Sequence, residues 1–387
     1  EKVEKVDLSR RYNLIGRVGQ GSMSKVWRAE DLMNGQSIAV KVLDKEKTVR
    51  YEARFKGLHK PNEADIALSL KHPNIVRTLE VGHTTEDEMY LIMEYVEGCG
   101  LGLLVDLQND RMTRYRIRYM IEIGDSLAYF HKQDWIHRDI CPRNIMVTED
   151  DHIKLIDFGL TVPNTPDFRK PGNRTGTANY MAPELIKRQP TDQRIDVFSY
   201  AVTCYEMYTK RHPWDAAMTI DAVMQHINKP PIPILELCPR MDQEISEIIM
   251  KGLEANPGER WQSMDEMVVE FRRVEARLVK KTREILTLRK QAKAGSQKSS
   301  ARKSGVSPPG ASARKSGVSP PSASAGKSGV SRPKASARKS GISPPAATAR
   351  QPGKAKASKS EASEPVTSEA DSSVNASDDS DELLSLD

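Results

Sequence analysis

Ile136-His137-Arg138-Asp139-Ile140-Cys141-Pro142-Arg143-Asn144-Ile145, followed by Asp157-Phe158-Gly159, is the stretch on which the reading of this chain turns. A carboxylate, an asparagine five positions later and a second carboxylate thirteen beyond that stand between apolar runs. Such an ordered set of oxygen donors suits a hard divalent cation on a triphosphate. It also leaves one carboxylate to accept a proton from a hydroxyl. Asp and Asn often do no more than cap turns, a reading that fits each residue alone better than it fits the set.

Upstream, Gly19-Gln20-Gly21-Ser22-Met23-Ser24-Lys25-Val26 lies between two strand-like segments. Glycines let backbone N–H groups approach phosphate oxygens without a Cβ in the way. Taken alone this is a common turn. Ala39-Val40-Lys41 follows at the distance of the next strands, and a lysine inside an apolar strand needs a reason, because an unpaired buried ammonium is costly. Phosphate oxygens with a carboxylate supply one; a stem snorkelling from an edge strand is the simpler alternative. Glu63 and, less well placed, Glu52 are the available carboxylates.

HRDxxxxN and DFG in this order match the protein-kinase signature, and the chain resembles that family on its serine/threonine side. The resemblance implies an α+β bilobal protein-kinase-like fold, with a small antiparallel β lobe carrying one helix and a larger, mainly helical lobe. It implies ATP and Mg²⁺ as cofactors, and protein serine or threonine hydroxyls as acceptors. By resemblance Asp139 accepts or orients the substrate proton, and Asn144 and Asp157 hold magnesium. Lys41 with Glu63 steadies the phosphates. Val18, Gly19, Gln20, Gly21, Ser22, Ser24, Val26, Ala39, Met93 and the main chain of Glu94 and Val96 surround the nucleotide.

Two departures from the family pattern stand out. Ser24 replaces the third glycine of the phosphate loop. Cys141 occupies the position two residues after the catalytic aspartate where serine/threonine kinases place a lysine. Arg143, four after it, stands where tyrosine kinases place an arginine, and its guanidinium is expected to supply the missing cation. If it does not, the chain reads as a nucleotide-binding pseudokinase scaffold with weak or no catalysis. Cys141 itself reads as a small filler or as a redox-sensitive position.

Thr175-Gly176-Thr177-Ala178-Asn179-Tyr180-Met181-Ala182-Pro183-Glu184 resembles the segment after the activation loop of serine/threonine kinases and argues against tyrosine as acceptor. The same resemblance pairs Thr177 with the catalytic aspartate region, Glu184 with Arg260, and Asp196 with the catalytic-loop backbone. Arg138, with Arg169, Lys170 and Arg174, forms an expected cationic cluster that a phosphothreonine would neutralise and order. Thr175 is the first candidate for that phosphate and Thr165 the second, possible targets of the enzyme's own activity; a loop ordered without modification is the alternative.

Short Val- and Ile-rich strands over residues 12–93 surround one helical segment near Asn62 to Leu70, and a hinge falls near Glu94–Gly98. From about 98 to 275 the apolar spacing changes to three and four, as at Tyr119, Ile123, Leu127 and Phe130, which predicts helices. Residues 1–11 read as an N-terminal extension. The charged segment from Ser263 to Lys290 reads as a last lobe helix with a solvated extension over 276–290, or as a coiled-coil partner helix.

Residues 291–387 read as a disordered low-complexity tail. Arg302-Lys303-Ser304-Gly305-Val306-Ser307-Pro308-Pro309 opens a basic repeat with a period of twelve over about 301–345, and an acidic end covers 361–387. Positions 291–360 carry 15 Lys or Arg and positions 361–387 carry 9 Asp or Glu, so the tail nets 15 − 9 = +6. That is the whole-chain charge of +6, which leaves residues 1–290 formally neutral. The tail reads as a linker or regulatory segment, as a phosphoacceptor through Ser304, Ser316, Ser328 and Ser340, or as a salt-sensitive contact for anionic partners, nucleic acid among them. Cys99, Cys141, Cys204 and Cys238 lack paired spacing, as expected of reduced thiols in a cytoplasmic setting. No apolar run suggests a membrane span. The charged start Glu1-Lys2-Val3-Glu4-Lys5 is no secretory signal, and the absence of an initiator Met leaves the true N-terminus open.

Overall fold

A computed structural model describes residues 5–20, 23–55, 57–171, 175–214 and 228–303, with backbone alone over 292–303. The chain divides into two compact units between Ala294 and Gly295. The first carries the elements below; of the second, only the end of one helix is described.

Six strands form the small lobe's sheet in the order β1-β5-β6-β4-β3-β2. They are β1 (Lys5–Val6), β2 (Tyr12–Gln20), β3 (Ser24–Asp31), β4 (Ser37–Leu43), β5 (Thr78–Thr84) and β6 (Met89–Glu94). All pairs are antiparallel except β1 with β5. The period of two splits central β4 between two cores. Ile38, Val40 and Val42 pack with Tyr12, Ala29, Tyr90 and Ile92 on one face. Ala39 and Leu43 join the main core on the other, and Lys41 shares their side of the strand.

Helix α1 (Leu8–Arg11) precedes β2, and α2 (Lys45–Glu52) runs into a 3₁₀ turn at Ala53–Phe55. Helix α3 (Glu63–Ser69) is N-capped by Asn62, whose side chain accepts from the Asp65 N–H. The lobe therefore holds more helix than the single one expected. Asp44 starts α2 by accepting from the Lys47 N–H, and Tyr51 and Phe55 anchor it by burial. Residues 5–11, read as an N-terminal extension, pack on the lobe: β1 extends the sheet, Val6 and Leu8 pack on its core, and Arg11 donates to Glu80 at 2.7 Å.

The larger lobe opens with β7 (Gly98–Gly100), followed by α4 (Leu101–Leu107) and α5 (Asp110–Lys132). Strand β8 (Trp135–Ile136) pairs with β11 (Val162–Pro163), and β9 (Ile145–Thr148) lies between β10 (Ile153–Leu155) and β7. Helices α6 (Pro183–Ile186) and α7 (Arg194–Thr209) follow. Every residue of α7 from Ile195 to Tyr205 is buried, as expected of a helix surrounded by core. Helix Gln243–Gly252 and the part of helix Met264–Lys303 up to Ala294 complete the lobe. The last was expected to end near Lys290 but continues to Lys303, because Gln, Ala, Lys and Arg in that stretch are good helix formers without being apolar. The repeats beyond Lys303 and the acidic end lie outside the described residues. No described helix is long and apolar enough to cross a membrane.

Candidate active site

Lys41 sits on β4 opposite Val26 of β3 and Leu91 of β6, so its stem is held by two neighbouring strands. Its buried ammonium donates to Glu63 Oε1 and, at 2.8 Å, to Asp157 Oδ1. Burial opposes the charge, but Asp157 and then Glu63 outweigh it and hold Lys41 above the usual lysine range. Burial pushes the Glu63 carboxyl up, with Lys41 opposing, whereas at Asp157 the ammonium more than offsets burial and holds the carboxyl down. Glu63, not Glu52, is thus the partner. Gly159 permits the close approach: its N–H donates to Asp157 Oδ1 at 3.1 Å, and a Cβ there would stand 3.3 Å from Glu63 Oε2.

Asp139 is held through both carboxylate oxygens. Thr177 donates to Oδ1 from its N–H at 2.9 Å and its hydroxyl at 2.7 Å, and Asn144 Nδ2 donates to Oδ2 at 2.7 Å. Asn144 also donates to the Asp139 carbonyl at 2.8 Å, closing the loop on itself. Asp196, fully buried in the first turn of α7, accepts from the His137 and Arg138 N–H groups at 2.8 Å each. His131 Nε2 adds a third contact to the same carboxylate at 2.9 Å. Burial would raise the Asp196 carboxyl, but the His131 hydrogen bond and charge hold it below the usual range. These bonds fix Arg138 at a left-handed φ of 71°, a conformation that costs a non-glycine residue about 1–2 kcal/mol. Phe158 stacks on Phe130 at 6.0 Å and meets the edge of His137 at 6.0 Å, joining the two halves of the site.

On the nucleotide side, Ala39 and Met93 are register partners and both buried. The Glu94 carboxylate accepts from Lys154 at 2.6 Å and from the Arg77 N–H at 3.0 Å. Val96 makes no backbone hydrogen bond among the described residues, leaving both groups open to a ligand. Gly19 pairs with Val26 at the mouth of the hairpin, Val18 is exposed and Ser24 is buried. Gly21, Ser22 and the Gln20 side chain lie outside the described residues. Asn144 Oδ1 and Asp157 Oδ2 accept no hydrogen bond from any described residue. These two hard oxygens fit Mg²⁺ completed by phosphate and water.

Cys141 is buried with its sulfur 3.9 Å from the Thr177 hydroxyl, and burial, then Asp139, pushes the thiol up to about 12. Burial and a raised thiol pKa fit the filler reading better than the redox-sensitive one. Arg143 is exposed and unpaired among the described residues; its field reaches Tyr180, Glu206 and His212.

Glu184 and Arg260 form a buried two-bond pair at 2.7 and 2.6 Å. Gly176 has φ +134°, and a Cβ there would lie 2.7 Å from the Arg138 carbonyl, so the segment presses on the catalytic loop. Among the described residues of the activation segment, Arg169 and Lys170 do not join the expected cationic cluster. Arg169 turns to Asn164, donating at 2.9 Å, and Lys170 pairs with Asp167 at 2.7 Å; Arg174 lies outside the described residues. Thr165 is exposed and Thr175 buried. What stands beside Thr175 was missed by sequence reasoning: Tyr51 of α2, its ring 5.3 Å from both Phe55 and the Lys60 ammonium. No local pattern marks these residues, because they meet only through the fold.

Residues 12–271 match the family model described as protein kinase domain. A probable serine/threonine-protein kinase of Clostridium acetobutylicum is 33% identical over 268 residues, covering 69% of this chain and 40% of that protein. Serine/threonine-protein kinase PknB of Mycobacterium leprae is 30% identical over 274 residues, 69% of this chain and 43% of that protein. PrkC of Bacillus subtilis is 27% identical over 268 residues, 68% and 40% respectively. The matched part thus spans about two fifths of each relative. With the signature, the two-lobed fold and this match in agreement, the chain belongs to the protein kinase domain family.

Proposed function

We propose that the chain is an ATP-dependent serine/threonine protein kinase that passes the γ-phosphoryl group to protein hydroxyls. The observation that carries this reading is the clamp on Asp139, which Thr177 and Asn144 orient from opposite oxygens while Lys41, Glu63 and Asp157 stand across the same cleft. Phosphoryl transfer is catalysed mainly by alignment and electrostatic stabilisation, and each of these groups serves one or the other. Asp139 accepts or orients the proton of the incoming hydroxyl. Lys41 steadies phosphate oxygens, and Glu63 keeps the ammonium in place as charge shifts. Asn144 and Asp157 would hold Mg²⁺, which would supply positive charge against the charge that develops during transfer.

Arg143, exposed and without an ion pair among the described residues, is placed to bring a guanidinium to the phosphate in place of the missing lysine; if Arg143→Ala leaves transfer unchanged, that role is wrong. Thr175 is the proposed site of an activating phosphate. The basic repeats, with serines that follow Lys, are proposed as phosphoacceptors of basic-directed kinases, this enzyme included, and as contacts for anionic partners. The test of the main reading is transfer of labelled γ-phosphate to a generic basic protein by wild type and by Asp139→Asn, followed by identification of the labelled residue. Label on serine or threonine that vanishes in the variant is expected; label on tyrosine alone, or equal labelling by both proteins, overturns it.

A further inference from the structure

The apolar stripe of the last helix, Met264–Lys303, outruns the core it packs on. Met264, Met267, Val268, Phe271 and Val274 are buried, and Leu278 packs partly against the same cluster. At the same spacing of three and four the stripe runs on through Lys281 to Ile285 and Leu288, which are 42% and 64% exposed. Positive charge surrounds this end. The ion pairs of the helix stop at Arg277, which meets Asp242 and Glu244. Beyond it Lys280, Lys281, Arg283, Arg289 and Lys290 are exposed and without an ion pair among the described residues. Against Glu284 alone they give residues 278–291 a net charge of 5 − 1 = +4.

Such a surface complements an anionic segment that carries aliphatic side chains of its own. A second copy of the helix fits poorly. Parallel pairing would set Lys281 against its own counterpart in the seam, and antiparallel pairing about Ile285 would set it against Arg289; cations at seam positions repel one another. The chain contains a better match. Asp379-Ser380-Asp381-Glu382-Leu383-Leu384-Ser385-Leu386-Asp387 carries four carboxylates, no cation and three leucines, a net charge of −4. Leu383 and Leu386 are three apart and share one face of a helical turn, and acids at the start of such a turn suit its positive end. The segment can also reach. At 1.5 Å per residue the helix covers about 27 Å from Ile285 to Lys303. The 378 − 303 = 75 residues that follow would give a flexible chain a root-mean-square span of about 45–50 Å.

We propose that residues 379–387 dock on the last helix between Leu278 and Gln291. Leu383 and Leu386 cover Ile285 and Leu288, and the carboxylates of Asp379, Asp381 and Glu382 meet Lys281, Arg289 and the cations beside them. The segment orders on contact, so the docking is reversible. It is also salt-sensitive, because its charged half lies at the surface. The basic repeats compete for the same carboxylates, but a unit such as Lys303-Ser304-Gly305-Val306-Ser307-Pro308 offers the leucines little aliphatic surface. The leucines therefore direct the acidic segment to the helix. Docking closes the intervening chain, repeats included, into a loop held at both ends.

The test compares the full chain as wild type with a triple variant, Leu383→Ser, Leu384→Ser and Leu386→Ser, which leaves the folded lobes untouched. Hydrogen exchange over residues 278–291, read by mass spectrometry, is expected to be roughly tenfold slower in wild type. That difference should shrink at about 1 M salt, where the screening length falls to about 3 Å. Lys281→Glu with Arg289→Glu should remove the protection, and adding Asp381→Lys with Glu382→Lys should restore it. A fluorescent synthetic peptide of residues 379–387 should bind the triple variant roughly tenfold more tightly than wild type, where the tethered copy competes at an effective concentration of about a millimolar. Light scattering should give the mass of one chain. Equal exchange in wild type and triple variant, or a peptide that binds both alike, overturns the docking. A mass of two chains, with protection that survives the triple variant, assigns the face to a second copy and overturns it as well. None of these readouts involves phosphoryl transfer, so they stand apart from the catalytic reading.

Discussion

Replacing Glu184 with Gln tests whether the activation segment is fastened to the large lobe by a charge that the interior cannot tolerate alone. Arg260 is essentially unexposed, and two of its hydrogen bonds, at 2.7 and 2.6 Å, end on the Glu184 carboxylate. The remaining bonds go to the carbonyls of Glu254, Ala255 and Arg194. An amide at position 184 keeps at most one acceptor and no negative charge, so the guanidinium stays ionised without a counter-ion. Breaking a buried pair from one side costs about 3–5 kcal/mol, a large part of the ~5–15 kcal/mol that holds a domain folded. At about 2–4 °C per kcal/mol for a domain of this size, Tm should fall by roughly 6–20 °C. Urea unfolding followed by circular dichroism gives the same comparison in free energy. The double variant Glu184→Leu with Arg260→Met should recover part of the loss, because no charge remains buried. It should stay below wild type, because three carbonyls lose their donor. A Glu184→Gln protein within about 1 kcal/mol of wild type would refute the reasoning.

Three further outcomes are expected. Asp196→Asn should lower kcat about a hundredfold with little change in KM for ATP, as measured by steady-state kinetics, because it loosens the catalytic loop and leaves Lys41 and the hinge intact. His137 is buried, and burial holds its pKa below the usual histidine value against the pull of Asp196. Its folded pKa is depressed, so its contribution to stability is complete above the unfolded value near 6.5 and is lost as pH falls through the folded one. The urea midpoint should therefore decline on acidification below about pH 6.5 with a slope of up to ~1.4 kcal/mol per unit from this group, and His137→Gln should flatten that limb. In timed alkylation read by mass spectrometry, Cys99 should label well before buried Cys141, whose thiol is pushed up to about 12; equal rates would contradict the buried placement.

Much of the candidate site was legible because its residues are fixed by short spacings. Lys41 stood out as a charge inside an apolar strand, and the order of Asp139, Asn144 and Asp157 followed the loops that carry them. The remainder depends on contacts without a local pattern. Helix α2 reads KEKTVRYE and buries only Tyr51, so no apolar stripe announces it, and Asp44 as N-cap is its one local signal. Strand β1 is two residues long and gains its place by pairing with β5, far along the chain. The cationic cluster is expected in the activation segment because Arg169 and Lys170 are close in sequence to Thr175, whereas Arg169 turns to Asn164 and Lys170 to Asp167. The helix beyond Lys290 was read as tail because it lacks apolar residues, which helix propensity does not require.

The catalytic loop carries a single 3₁₀ turn at Pro142–Asn144, and Asp196 ties the backbone at its start to the most deeply packed helix of the lobe. The order of the loop consequently depends on the cohesion of the interior around that helix. Loss of packing around α7 would extinguish turnover before the lobes come apart, so temperature-sensitive loss of activity should map to side chains lining that helix more often than to those facing the cleft.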